Sequence, residues 1–387
     1  MSRLIAIGGL IAVLVTASVF AQQNSQPRIE QFQQTRFGIL YSLWQCLAYD
    51  DTQAQPADIS KSLTGRMPWA PVPSFEWWSE PALGYYCLSR REDILRNHAE
   101  MLRDAGVNFV ILDISNWPDT HNANAETAII QPLGHLLSVW SQISNAPKVV
   151  AWAPLTADGD MFEYVLHQLK AYPNLQFPFY GKPLALVVAN PAMPVDGPKY
   201  VKYSQLYTLR RMWGLSQPPS NWSFMEQCAP GFLSSHGTAR CNQRVTRVDG
   251  RIEQIPITTA YQETYMSLTT TAVPKFHGRT FVRQFETAFE HPEAPIVTVT
   301  GWNEWIAQRF CLSSPGSMKI SSQNCDASND HWADGNKIFV DQYNAEYSRD
   351  IEPSKEPPGA FYYRLLRDCV ADFRKGERCS IREIDRK

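Results

Sequence analysis

The sequence lacks a basic excess: 36 Lys and Arg stand against 38 Asp and Glu, for a formal net charge of −2. A nucleic-acid groove normally carries a positive stripe, so nucleic acid is not an expected partner. No G-x-S-x-G elbow occurs, and no P-loop or G-x-G-x-x-G follows an apolar run. These absences argue against an esterase and against nucleotide or dinucleotide cofactors. HExxH, CxxC and clustered His/Cys spacings are also missing, so neither a metal centre nor any other cofactor is expected. The oxygen-rich stretch from Asp326 to Asn336 misses the EF-hand spacing and reads as a solvated loop. Apolar residues make up 44% of the 387 and charged residues 19%, which excludes disordered and low-complexity classes. Tryptophan is abundant, with 12 residues. They either build a large aromatic core or stack a flat ligand such as a sugar ring or a base.

Residues 1–21 read as a secretory signal peptide: Arg3, an apolar run from Leu4 to Val15, and Val19-Phe20-Ala21 as the cleavage site. The run is short for a membrane span, so no stable span is expected after cleavage, and the protein is expected to be secreted or periplasmic. All eight cysteines follow that segment, and an even count in an exported chain suggests disulfides. Eight cysteines allow 105 connectivities. Spacing favours Cys228–Cys241, Cys311–Cys325 and Cys369–Cys379, leaving Cys46–Cys87.

Short apolar runs alternate with helical patterns, as in an α/β chain. Strands are expected at Phe37–Trp44, Asn108–Asp113, Lys148–Ala153, Pro183–Ala189, Tyr207–Trp213, Gln254–Ala260 and Ile296–Trp302. Helices are expected from a capping box at Ser89 and Glu92 to Gly106, over Glu126–Ile143 with Pro132 as a kink or restart, and over Met161–Ala171, Arg279–Phe289 and Phe361–Phe373. Strands this apolar are buried on both faces. Seven such strands point to a single (β/α)8 TIM barrel over residues 22–387, with an eighth strand near 222–227 or 338–340. A doubly wound sheet is the competing architecture. Long polar stretches at 50–82, 216–250 and 312–336 are expected as loops, two of them stapled by cysteine pairs.

In a barrel, active groups come from the C-terminal ends of strands. Those ends place Tyr41, Trp44, Asp113, Trp117, Trp152, Tyr261, Gln262, Glu263, Trp302, Asn303, Glu304 and Trp305 at one rim. Glu304 follows an apolar strand between two tryptophans, and apolar neighbours raise a carboxyl pKa toward general acid or base use. If it instead pairs with Arg309 or Arg349, it is structural. Asp113 and Glu263 are the candidate partner carboxyls. Glycoside cleavage commonly needs two, about 5–5.5 Å apart for retention and about 6.5–9.5 Å for inversion. The rim tryptophans and tyrosines would stack sugars, while Asn303 and Gln262 would bind hydroxyls. His98 lies on the apolar face of its helix, where a satisfied core histidine is expected.

The run Val299-Thr300-Gly301-Trp302-Asn303-Glu304-Trp305 resembles the W/F-N-E-W signature of glycoside hydrolase family 71/99-like proteins, which include endo-α-mannosidases and WbsX-type proteins. The stretch Leu88–Asp113 resembles their helix-to-second-strand unit. Residues Phe339–Pro353 resemble a segment that follows the motif in bacterial members. The resemblance implies a (β/α)8 barrel acting on a poly- or oligosaccharide without an organic cofactor. In family 99 the motif continues as E-x-x-E, and both glutamates serve catalysis. Here Glu304 matches the first, and Ala307 stands at the second. Either Asp113 or Glu263 supplies the partner, or the reaction differs, or the protein binds glycans without hydrolysing them. Arg349, Asp350 and Glu352 are expected to form a buried ion-pair cluster fixing the last loop.

Overall fold

The computed structural model describes residues 29–49, 55–71, 74–214, 220–225, 243–262, 272–273, 275, 277–312, 320–321, 337–339 and 348–381. The expected signal segment, residues 1–21, lies outside them, as do Cys228, Cys241, Glu263, Cys325 and the stretch 326–336.

Eight strands run parallel in one sheet: β1 (Arg36–Ser42), β2 (Phe109–Asp113), β3 (Lys148–Ala153), β4 (Lys182–Val188), β5 (Thr208–Trp213), β6 (Trp222–Ser223), β7 (Arg251–Thr258) and β8 (Ile296–Thr300). Their spatial order is β6-β5-β4-β3-β2-β1-β8-β7, so each pairs with the next in sequence except β6 with β7, and β8 returns to β1. This is the expected barrel rather than a doubly wound sheet, and its eighth strand is the short β6. Helices α1 (Glu92–Asp104), α2 (Gln131–Trp140), α3 (Met161–Lys170) and α4 (Gly197–Ser204) follow β1 to β4. Helices α5 (Arg279–Glu290) and α6 (Phe361–Arg374) follow β7 and β8. Among the described residues no helix is long and apolar enough to cross a membrane.

Side chains alternate across each strand, which divides the core in two. Leu40, Phe109, Ile111, Val150, Trp152, Leu186, Met212 and Trp222 fill the barrel interior. Ile39, Tyr41, Val110, Leu112, Val149, Val297 and Val299 face the helices. Gly38 stands opposite Phe109 in the ladder, and a β-carbon there would lie 2.4 Å from the Phe109 ring. The missing side chain is what lets that ring occupy the barrel.

Between β6 and β7 a side chain replaces the ladder. Gln254 accepts from the Ser223 backbone N–H (3.2 Å) and donates to the Ser223 carbonyl (2.8 Å). Its amide also accepts from Thr246 (3.0 Å) and donates to Thr298 (2.7 Å). All five groups are buried, so Gln254→Leu leaves several polar atoms without partners. Chemical denaturation is expected to read a loss of about 2–4 kcal/mol. A loss under about 0.5 kcal/mol would mean that this bridge does not close the barrel.

The stretch 50–82 expected as a loop carries a short helix, Ile59–Leu63, and a strand, Ser74–Trp77, the capping box at Ser89 and Glu92 is not formed, and the expected restart at Pro132 is found. Helix α1 begins at Glu92 after Arg91 with no side-chain cap. The Ser89 hydroxyl lies instead 3.1 Å from the Cys87 sulfur. The segment before α2 is a π-helical turn, Glu126–Ile130. Proline has no N–H to close an i→i−4 bond, so the wider turn leads into Pro132 at the start of α2. Disulfides join Cys46 to Cys87 and Cys369 to Cys379. The other two expected pairs involve cysteines outside the described residues.

Candidate active site

The C-terminal rim of the barrel gathers Asp113, Glu304, Arg349 and Asp350. Asp113 ends β2 in register with Ser42 of β1 and Trp152 of β3. By alternation from Phe109 and Ile111 it faces the barrel interior. Its carboxylate accepts from the Ser115 backbone N–H at 3.0 Å. Burial pushes the Asp113 carboxyl up to about 7, and the charge of Glu304 pushes the same way.

Glu304 lies in the loop after β8, on the other side of β1. Arg349, buried at 3% exposure, donates from Nη2 to Glu304 Oε2 at 2.7 Å. The Glu304 side chain keeps 16% of its surface exposed. Its neighbours are therefore an arginine and solvent as well as the two tryptophans. The segment 348–352 runs beside the loop and fixes it. Gly301 N–H donates to the Arg349 carbonyl (2.9 Å), and the N–H groups of Ile351 and Glu352 donate to the Trp302 carbonyl (3.1 and 2.9 Å). The Glu304 N–H donates to the Asp350 carboxylate, which also accepts from Trp78 Nε1 at 2.7 Å. Burial and the Glu304 charge raise the Asp350 pKa. The expected ion-pair cluster thus divides: Arg349 and Asp350 act on Glu304, while Glu352 lies deeper, against His98, Tyr86 and Trp305.

Several expected sugar contacts are internal instead. Asn303 is fully buried; its Oδ1 accepts from the Ser42 N–H (2.9 Å), and its Nδ2 donates to the Ser42 carbonyl (3.1 Å). It clamps the loop to β1 and has no surface for a hydroxyl. Tyr41 and Trp302 pack outside the barrel wall, against His98 (both 5.6 Å between ring centroids). Trp152 fills the interior beside Phe224, and Trp305 stacks on Trp78 at 4.8 Å. These four rings are at most 1% exposed, so the expectation of sugar platforms does not fit them. Trp44 and Trp117 each keep 8%. Tyr261 and Gln262 form a short strand paired with Ala272–Val273. Ala307 is buried and stands opposite the buried Glu76 in an antiparallel ladder. Among the described residues no group of three or more His, Cys, Asp and Glu could hold a metal ion.

A groove of about 700 Å³ opens at the other end of the barrel, with Arg103, Asn108, Lys148, Asn174 and Arg374 among its walls. Its cations are occupied: Arg103 by Asp104 (3.3 Å), Arg374 by the Gly106 carbonyl (2.8 Å), and Lys148 by the Asn174 carbonyl. No carboxyl lines it, and this face of a barrel serves stability rather than chemistry.

The raised Asp113 pKa has a consequence for stability. The folded state holds that proton more tightly than the unfolded chain, so folding is favoured below pH 4. This advantage is lost as pH rises from about 4 through about 7. Partial exposure of the site reduces the full effect to about 1–2 kcal/mol. Asp113→Asn is therefore expected to unfold later than the native protein at pH 8 and to lose that advantage at pH 4. Parallel melting curves at the two pH values check it, and equal differences at both would contradict it.

No protein-family model and no curated relative matches the sequence. Two similar solved structures are of a GH99 endo-α-mannosidase from Bacteroides thetaiotaomicron. The one in complex with bis-tris-propane is 14% identical, with a TM-score of 0.46 over 88% of this chain and 97% of that one. The other is 15% identical, with a TM-score of 0.45 over 88% of this chain and 98% of that one.

Proposed function

We propose that this protein is an exported glycoside hydrolase working at the rim of the barrel. The observation that carries the reading is the pair Asp113 and Glu304, two carboxyls on either side of β1 in contrasting environments. Asp113 titrates near 7 and so carries a proton over part of the neutral range, which suits a general acid. Glu304, ion-paired with Arg349 and partly open to solvent, acts as the carboxylate base or nucleophile. Two carboxyls in contrasting surroundings are the usual way one site runs both halves of acid–base chemistry. In this account Asp113 protonates the glycosidic oxygen as the bond breaks, and Glu304 either activates water or bonds to the anomeric carbon. The two disulfides fit an oxidising compartment, which supports export.

The test is a reducing-sugar screen across poly- and oligosaccharides with the native protein and Glu304→Gln. Release by the native protein alone supports the reading; release by neither, or equally by both, contradicts it.

One observation favours a second reading, a glycan-binding protein that does not hydrolyse. The Arg349 guanidinium already occupies Glu304, as it would in a purely structural ion pair. Under that reading a glycan array shows affinity unchanged by Glu304→Gln, with no product at any protein concentration.

A further inference from the structure

Beneath the rim lies a buried polar chain that the proposed chemistry does not use. His98, on α1, is fully buried and enclosed by the rings of Tyr41, Tyr86 and Trp302, each 5.6 Å away between centroids. Its Nδ1 is 2.7 Å from the Tyr41 hydroxyl, and its Nε2 is 3.0 Å from Glu352 Oε1. The other Glu352 oxygen accepts from the Tyr86 hydroxyl (2.7 Å) and from Trp305 Nε1. The Tyr86 hydroxyl in turn lies 3.4 Å from Asn303 Nδ2.

The Glu352 carboxylate accepts from Nε2, and a neutral His98 ring with its hydrogen there leaves Nδ1 to accept from the Tyr41 hydroxyl, a phenol whose pKa burial raises. Nδ1 is then the accepting nitrogen, and Nε2 carries the hydrogen given to Glu352. Three donors converge on that carboxylate: His98, Tyr86 and Trp305. Two of them lead directly to the residues that flank Glu304, because Trp305 is itself a neighbour and Tyr86 meets Asn303.

We propose that His98 is a positioning residue for Glu304: through Glu352 it holds Trp305 and Asn303, and so sets where the Glu304 carboxylate stands. The proposal rests on the reading of Glu304 as the working carboxylate, but the positioning itself is measurable without a substrate. An unmade hydrogen bond in such an enclosed network leaves partners that cannot turn to water, so the loop loses its fixed geometry.

The test combines the native protein with His98→Leu and His98→Gln; the longer amide places an N–H near the position of Nε2. Nitrogen-15 NMR of the native protein at pH 7 is expected to show the Nε2–H tautomer for His98. Hydrogen exchange at the Trp305 indole and the Glu304 amide is expected to speed up at least tenfold in His98→Leu. Amides of Val110 and Leu112 in β2 should change less than threefold. His98→Gln should bring the loop back to within threefold of native. On a glycan that the native protein cuts, His98→Leu should lower kcat at least tenfold with KM within twofold. An Nδ1–H tautomer overturns the proposal. So does equal acceleration in the loop and β2, or a His98→Gln variant whose loop exchanges as fast as that of His98→Leu. If no glycan is cut, the hydrolase reading fails, while the tautomer and exchange results still decide the positioning.

Discussion

Glu304→Gln is expected to slow glycan hydrolysis by about 10²–10⁴-fold while the barrel stays folded. Glutamine keeps an oxygen where Arg349 donates, and its backbone N–H still reaches Asp350, so the loop retains both attachments. What is lost is the negative charge that would activate water or bond to the sugar. The same charge raises the proton affinities of Asp113 and Asp350, so its removal lowers both. The variant should therefore combine a large rate defect with a smaller fall in stability between pH 4 and 8. Steady-state kinetics and melting curves on one preparation check both parts. An unimpaired rate removes Glu304 from the chemistry, whatever the melting curves show.

Arg349→Met is expected to cost about 2–4 kcal/mol of stability. Arg349 is buried and its guanidinium meets the Glu304 carboxylate at 2.7 Å, so removing it leaves that carboxylate without its counter-charge. The cost falls toward the lower end because Glu304 keeps contact with water. Combining Arg349→Met with Glu304→Gln should recover part of the loss, giving a coupling of about 1–3 kcal/mol in a double-mutant cycle. Denaturant unfolding of the four proteins measures it. Purely additive effects would mean that the pair does not hold the loop.

The barrel was legible because its strands are buried on both faces and read as apolar runs. The eighth strand was harder: β6 is only Trp222–Ser223, too short for any periodic signal, and Gln254 closes the sheet beside it. Asp113 closes an apolar run, so its place at the end of β2 follows from the sequence, while its interior parity with Phe109 and Ile111 comes from the fold. Tyr41 sits at the end of its strand but on the opposite parity. It lies one residue from Leu40 and Ser42, so it faces the helices although it reaches the rim height. Asn303 looked like a ligand for hydroxyls, but its amide matches the backbone of β1, a partner 261 residues away. His98 was correctly expected as a satisfied core histidine. Its partner Glu352 is 254 residues distant, and no local pattern announces such a pairing. Charge alone makes Arg349 a candidate partner of Glu304; the fold brings them together by laying 348–352 along the loop after β8.

The acid–base assignment is tested most directly by the pH dependence of kcat/KM on a glycan identified in the screen. For the native protein the rate should fall as pH rises through about 7, where Asp113 loses its proton. Asp113→Asn should lower the rate by about 10²–10⁴-fold and abolish that alkaline limb. A variant with native rate and an unchanged alkaline limb would contradict Asp113 as the acid and dissolve the pair on which the proposed function stands.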